Sequence, residues 1–424
     1  MKRRTLLTAA GLTGLTSACS SGIKQSDSTA STGTLKLGYV TPQTGALAPF
    51  GEADTFVVGA VRDWFAKNPL RVGDRDVKVE ILVKDAQSDS RRAGTVAGDL
   101  ILSDKVDLML VSSTPDITNP VADQCEANGV PCISTVAPWQ PWFLGRGGAI
   151  GGKSFSWTYH FFWGLEDVEA VYQDMWAAAG AGKRAGGLFP NDPDGNAWGD
   201  AKTGFPPEVA KNGYSIIDPG RFAVGTQDYS AQIARFKAGG AQILLGVVVP
   251  PDFTNFWKQA AQQGYRPRIA TIAKALLFPS TIEALGDLGQ NLGTEVWWSP
   301  THPFTSSLTG QSAAALAQAF TTATGKQWTQ PIGFVHALFE VAAKAVTTAG
   351  ATNNRQGIVD ALKSLKLDTV VGPVDWTSGP VPNVAKTPLV GGQWRKGTTY
   401  PYDLVVVSNP LKTAVPVAGK VQPL

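Results

Sequence analysis

The feature that most constrains this chain is an alternation of short apolar runs with amphipathic stretches, which begins at residue 35 and then starts again past residue 165. Strand-like runs are LKLGYV (35–40), VKVEILV (77–83), VDLMLVSS (106–113) and VPCISTV (130–136), with helical stretches near 52–67, 90–103 and 116–128. A second series follows: AGGLFP (185–190), YSIIDPG (214–220), AQILLGVVV (241–249) and RIATIA (268–273). Helical stretches near 166–179, 197–212, 228–238 and 252–264 separate these. Strand and helix alternating at this spacing predict parallel βαβ units, hence two doubly wound α/β units in one chain. Beyond them, 307–324 and 332–349 read as amphipathic helices and TVVGPVDW (369–376) as a further strand.

Length agrees with two units, since 424 residues exceed what one ordinary core serves. The 37 basic and 34 acidic residues nearly balance, at a formal +3, so the electrostatic footprint of a nucleic-acid binder is missing. Charged residues make up only 17 % while there are 13 Trp, many of them expected in the core.

The first nineteen residues, MKRRTLLTAAGLTGLTSAC, have a basic start, a short apolar stretch and small residues leading to Cys19. That is an export signal rather than part of the fold. Arg3-Arg4 resembles a twin-arginine signal, and Cys19 resembles the lipid-accepting cysteine of bacterial lipoproteins. The mature protein is therefore expected outside the cytoplasm, at the cell surface or in the periplasm, held to the membrane by a lipid on Cys19. Residues 20–34, rich in Ser, Thr and Gly, read as a flexible tether. Two cysteines remain, Cys125 and Cys132, flanking a helix end and a strand start. They read either as a short disulfide or as two small buried thiols.

Residues 147–154 match the phosphate-loop pattern G-x-x-x-x-G-K-[ST]. Such a loop cradles phosphate only when it leaves a buried strand and opens a helix. Here PWQPWFLGR precedes it and FSWTYHFFW, which reads as extended, follows it, so no nucleotide site is expected. Its place in the aromatic, Gly-rich connector 137–164 suggests instead a mobile loop at the mouth of an inter-domain cleft, with Lys153 as a rim charge.

Catalytic signatures are scarce. The three histidines, His160, His302 and His336, share no metal-ligand spacing, and no nucleophile elbow or Cys/His cluster occurs. No metal and no cofactor are expected. What remains is a set of strand ends, where α/β sheets hold ligands. Ser112, Ser113 and Thr114 follow the third strand; Ser134, Thr135, Val136 and Ala137 close the fourth. Each hydroxyl alone reads as a helix cap; their clustering at one sheet edge suggests a grip on a small polar head.

Taken in order, LKLGYVTPQTGALAPFGE, VKDAQSDSRRAGTVAGDLI (83–101), ANGVPCISTVAP (127–138), PNDPDGNAWGDA (190–201), GTQDYSAQIARFKAGGAQILLG (225–246), FWKQAAQQGY (256–265), VVGPVDW and GGQWRKG resemble the type I solute-binding proteins of bacterial ABC importers, in the branched-chain amino acid group. The resemblance covers roughly residues 35–410. It implies two Rossmann-like lobes joined by three hinge crossovers, near 155, 298 and 373: lobe one 35–155 with 299–373, and lobe two 156–298 with 374–424. It implies an ABC permease as partner and a small solute, amino acid-like or an organic acid or amide, captured between the lobes, without catalysis. A ligand-sensing receptor of the same fold and, further off, an exported hydrolase are the alternatives. The family's binding positions fall on Phe50, Ser112–Thr114, Val136 and Ala137, Asp194, Pro250 and Lys274. Trp139, Trp142, Trp157 and Trp163 offer rings for an apolar body. Lys274 stands where the family carries a carboxylate for a ligand's ammonium. A lysine there disfavours an ordinary α-amino acid and favours an anionic or neutral solute, unless Lys274 turns away to pair with a surface acid.

Overall fold

The computed structural model describes residues 33–424. The expected signal at 1–19 with Cys19, and the tether up to residue 32, lie outside the described residues.

The chain opens with β1 (Thr34–Thr41), α1 (Asp54–Lys67), the hairpin β2 (Leu70–Val72) and β3 (Arg75–Asp85), then α2 (Ser90–Leu102). It continues through β4 (Leu108–Ser112), α3 (Pro115–Asn128), β5 (Cys132–Thr135), the short α4 (Trp139–Phe143) and β6 (Thr158–Phe161). Local chemistry sets the helix ends. Asp89 accepts from Arg92 N–H at 2.7 Å to start α2. Pro115 opens α3, and Gly129 closes it in a left-handed conformation (φ 63°).

The second unit runs α5 (Leu165–Ala178), β7 (Arg184–Leu188), α6 (Pro193–Trp198), α7 (Phe205–Ala210), β8 (Ser215–Ile217), α8 (Ser230–Ala238) and β9 (Ile243–Val248). Then come α9 (Pro250–Gln262), β10 (Ile269–Lys274), α10 (Pro279–Leu285) and β11 (Gly293–Val296). The single helix expected over 197–212 is thus two short ones. Gly204 folds back so tightly that a Cβ there would lie 2.5 Å from the carbonyl oxygens of Ala197 and Trp198. The remaining elements are α11 (Ala313–Thr324), α12 (Pro331–Ala349), α13 (Arg355–Lys363), β12 (Lys366–Thr369), β13 (Gly372–Asp375), β14 (Val384–Ala385), β15 (Val390–Lys396) and β16 (Tyr402–Ser408).

Two seven-stranded sheets result. The first has the order β14-β6-β5-β4-β1-β3-β2 and is parallel except for the β2–β3 hairpin. The second has the order β16-β15-β11-β10-β9-β7-β8, with β15 and β16 running antiparallel at one edge. This is the doubly wound α/β architecture of two lobes that the strand–helix alternation predicts. The apolar helix α12 is long and hydrophobic enough to cross a membrane by composition, but 78 % of its most apolar stretch is buried. It packs on α1 and on strands of the first sheet as that lobe's central helix.

Strand membership moves two of the expected crossovers. Thr158–Phe161 pairs with β5, and Val384–Ala385 pairs with β6, so both belong to the first sheet. The chain therefore leaves lobe one after Phe161 rather than near 155, and passes to lobe two for the last time across 386–389 rather than near 373. The middle passage follows Val296. Gln330, fully buried just ahead of α12, holds that passage: its Oε1 accepts from Trp297 N–H at 2.8 Å, and its Nε2 donates to Glu295 O at 3.0 Å.

Candidate functional site

The carboxyl ends of both parallel sheets face one another across a cleft, as the winding of α/β sheets requires. Lobe one contributes Phe50, Thr114, Val136 and Pro138 to its lining. The first passage between lobes contributes Phe162 and Trp163, the end of β11 Glu295, and the middle passage Trp297. Lobe two contributes Asp194, Trp198, Lys274 and Leu277. The lobes stand close together. Phe50 meets Phe278 edge-on at 5.0 Å, and Gln327 Nε2 donates to Tyr402 O at 3.0 Å. The space left is about 20 Å³, room for roughly one water molecule. A larger solute can enter only with the lobes apart.

The polar centre of the cleft is a buried ion cluster. Asp192 caps α6, its Oδ1 accepting from Gly195 N–H at 2.6 Å, and Asp194 sits in the first turn of the same helix. Lys274, at the end of β10, places Nζ 2.9 Å from Asp192 Oδ2 and 2.7 Å from Asp194 Oδ2. Burial pushes the Lys274 ammonium toward losing its proton, but Asp192, Asp194 and Asp116 outweigh it and raise its pKa, so it stays charged. Burial likewise raises the Asp194 and Asp116 carboxyls, an effect Lys274 partly offsets. Glu295 is raised to about 7, burial again leading, although its Oε2 accepts from Tyr172 Oη at 2.6 Å and Thr294 Oγ1 at 2.9 Å. Four buried polar atoms on lining residues have no hydrogen-bond partner: Asp194 Oδ1 and the indole N–H groups of Trp163, Trp198 and Trp297. Such atoms cost free energy when left unpaired.

Two backbone outliers sit in this lining. Val136, just past β5, has φ 72°, and Lys274 has φ 63°. Positive φ is unfavourable for a residue with a Cβ, and for a β-branched one especially. Both lie at the carboxyl end of a strand, one in each lobe, where strained backbone commonly marks a functional position.

Of the residues singled out from sequence, Phe50, Thr114, Val136, Asp194, Lys274 and Trp163 line the cleft together. The others do not. Ser134 Oγ and Thr135 Oγ1 turn along the sheet to β6, Ser134 lying 2.8 Å from His160 Nδ1 and Thr135 donating to Phe161 O at 2.6 Å. Ala137 O accepts from His160 Nε2 at 2.7 Å. A carbonyl can only accept, so Nε2 carries the proton and Ser134 donates to Nδ1. Ser112 and Ser113 are buried at and just past the end of β4 and do not line the cleft. Trp139 donates to Glu166 Oε1 at 3.1 Å, and Pro250 serves as the buried first residue of α9. Lys274 neither repels an ammonium with a free charge nor turns to a surface acid; buried carboxylates of its own lobe hold it. Sequence reasoning passed over Phe162, Trp198, Leu277, Glu295 and Trp297. The run EVWWSP at 295–300 was the available signal, a ring pair at an expected crossover.

One further expectation is corrected, and of the two readings of the cysteine pair one holds. Loop 145–155 lies away from the cleft: it runs from helix α4 to strand β6, and Arg146 within it packs on Phe155 and Trp142 and pairs with Asp123 at 2.7 Å. Helix-to-strand is the reverse of the order a phosphate cradle needs. Cys125 and Cys132 are free thiols, both fully buried where the core side of α3 packs on the start of β5, and they fill space as small apolar groups.

A family model described as periplasmic binding protein matches residues 34–398. No curated protein sequence matches the chain. Among solved structures, a leucine-binding protein of Thermotoga maritima superposes with a TM-score of 0.72 at 17 % identity, covering 89 % of this chain and all of that one. A solute-binding protein of an ABC transporter from Rhodopseudomonas palustris, in complex with 3,4-dihydroxybenzoic acid, gives 0.70 at 19 % identity, covering 90 % and 100 %. A branched-chain amino acid transporter substrate-binding protein of Streptococcus pneumoniae, in complex with isoleucine, gives 0.69 at 15 %, covering 88 % and 99 %.

Proposed function

The chain belongs to the periplasmic binding protein family, and from that premise we propose that it is the extracytoplasmic solute-capturing component of an ABC importer, of the branched-chain amino acid group. It takes a small amino acid-like solute, or an organic acid or amide, between two lobes that close about the three chain passages, and hands it to a permease in the membrane. Export through the segment 1–19 and a lipid on Cys19 keep it beside that permease. The observation that carries this reading is the cleft between the lobes, whose lining residues Asp194, Trp163, Trp198 and Trp297 each carry a buried polar atom without a partner.

Chemistry on the bound solute is not part of this reading. Each histidine is buried against a serine, His160 with Ser134, His302 with Ser299 at 2.9 Å and His336 with Ser306 at 2.8 Å. None of the three lines the cleft.

The test is a thermal-shift screen of the purified protein against amino acids, aromatic acids, amides and polyols, with small-angle scattering on any hit. A solute that binds only the folded state raises the melting temperature in proportion to ln(1 + [L]/Kd). A hit that changes the radius of gyration supports capture by lobe movement. A screen in which nothing shifts refutes it.

A further inference from the structure

The cleft carries its own ammonium. Lys274 spends two of its three N–H donors on Asp192 Oδ2 and Asp194 Oδ2, at 2.9 and 2.7 Å, with only 6 % of its side chain exposed. Asp116, from the first turn of α3 in the opposite lobe, lies near enough for its charge to act on the same ammonium. Among the described residues, Lys274 is the one cation of the lining.

We propose that Lys274 occupies the place of a ligand's ammonium, and that the solute this cleft selects presents an uncharged head bearing both a hydrogen-bond acceptor and a donor, such as a carboxamide. The inference rests on the solute-capture reading and narrows its substrate class.

Charge and hydrogen-bond inventory both lead there. A cationic head would need the carboxylates that Lys274 already holds. An anionic head would approach a lysine surrounded by Asp116, Asp192 and Asp194, and like charges brought together in a desolvated site are costly. Burial raises the Asp194, Asp116 and Glu295 carboxyls, which shows how poorly this cleft tolerates further negative charge. The partnerless atoms are three indole donors and one carboxylate acceptor. A carboxamide answers both kinds, its C=O accepting from indole N–H and its N–H donating to Asp194 Oδ1. Phe50, Phe162 and Leu277 supply the apolar wall for the rest of such a molecule.

The test is calorimetric titration near neutral pH with two series of matched body: phenylacetamide, phenylacetate, phenethylamine and phenylalanine, then isovaleramide, isovalerate, isoamylamine and leucine. The amide is expected to bind at least about tenfold tighter than its acid, amine and amino acid counterparts. If a charged or zwitterionic member is tightest, the uncharged head is overturned while solute capture stands. Should no member bind, the charge of the best hit in the broader screen decides: an uncharged one supports the inference and a charged one overturns it. With no hit there either, solute capture fails and this inference with it. As a second arm, Lys274→Met should bind isoamylamine at least about tenfold tighter than the parent protein does, because it vacates the carboxylates. A correctly folded Lys274→Met with no gain for the amine overturns the role of Lys274; if that variant does not fold, the two series decide.

Discussion

Lys274 Nζ lies 2.7 Å from Asp194 Oδ2, an ion pair with both side chains almost wholly removed from solvent. Breaking a buried pair by removing one partner costs about 3–5 kcal/mol, because the other charge stays behind unpaired. Lys274→Met should therefore unfold at markedly lower temperature than the parent above neutral pH. It should recover part of the loss in acid, as the Asp194 carboxyl, raised by burial, takes up a proton. A melting temperature within error of the parent at alkaline pH would show that the pair contributes nothing.

Stability should fall as pH rises from about 6.5 to about 8. Burial raises Glu295 to about 7 and Glu169 to about 8, so in that window the folded chain holds protons that the unfolded chain has released. Each raised carboxyl contributes stability that is complete below its unfolded pKa and lost through its folded one. His160 and His302, lowered by burial to about 3, and His336, lowered to about 4, act in the opposite sense, but only below about 6.5. Between those limits and mild acid the two groups oppose each other, and Asp54, raised to about 6 by burial, sides with the glutamates. Melting curves across the window test the sign, and Glu295→Gln should flatten the slope. A melting temperature that climbs from neutral to mildly alkaline pH would contradict the assignment.

Gln330→Leu should cost about 1–3 kcal/mol, since it strands the buried Trp297 N–H and Glu295 carbonyl that the side chain now satisfies. Urea unfolding measures the loss. Because Trp297 also lines the cleft, the same variant should weaken whatever solute the screen identifies; unchanged stability would mean that these groups find other partners.

Cys125 and Cys132 should be silent toward thiol reagents in the folded protein and react together once it is denatured. Burial both shields them and pushes the Cys125 thiol up, away from the reactive thiolate. Colorimetric titration of a Cys19→Ser chain counts them. Prompt reaction in the native state, or missing thiols after denaturation without reductant, would rule this arrangement out.

Most strands and the helices between them were legible because β1, β3, β4, β5, β9 and β10 are apolar runs bounded by turn residues, a purely local signal. What escaped is pairing. HFF at 160–162 and VA at 384–385 carry nothing local that says which sheet they join, so two crossovers were set too early. Strands β15 and β16 come after the helices of both lobes, and nothing local in GGQWRK or YDLVVVS says that they add antiparallel beside β11. In the site, a strand end pointed to Val136 and the family resemblance to Lys274, and both line the cleft because chain direction brings strand ends there. The direction of a hydroxyl cannot be read that way. Ser134 and Thr135 alternate along β5, yet both side chains end on β6 backbone or on His160. The partners of Lys274 were equally out of reach, since Asp192 and Asp194 stand some eighty residues away in the chain and meet it only when α6 docks beside β10.

The central position of α12 sets the order in which a ribosome's product can become protein. The strands of the first sheet up to Phe161 are made early, but the helix that covers them begins at Pro331, after the whole of β7–β11 has been synthesised. At about 5–20 residues per second the first lobe waits many seconds with its apolar face uncovered, whereas the second-made lobe already has its five parallel strands β7–β11 in hand. Chains arrested near residue 400, past α12, should thus protect 34–161 from protease, and chains arrested near residue 300 should not. The second sheet waits longer still for its own completion, since β15 and β16 join it only at 390–408.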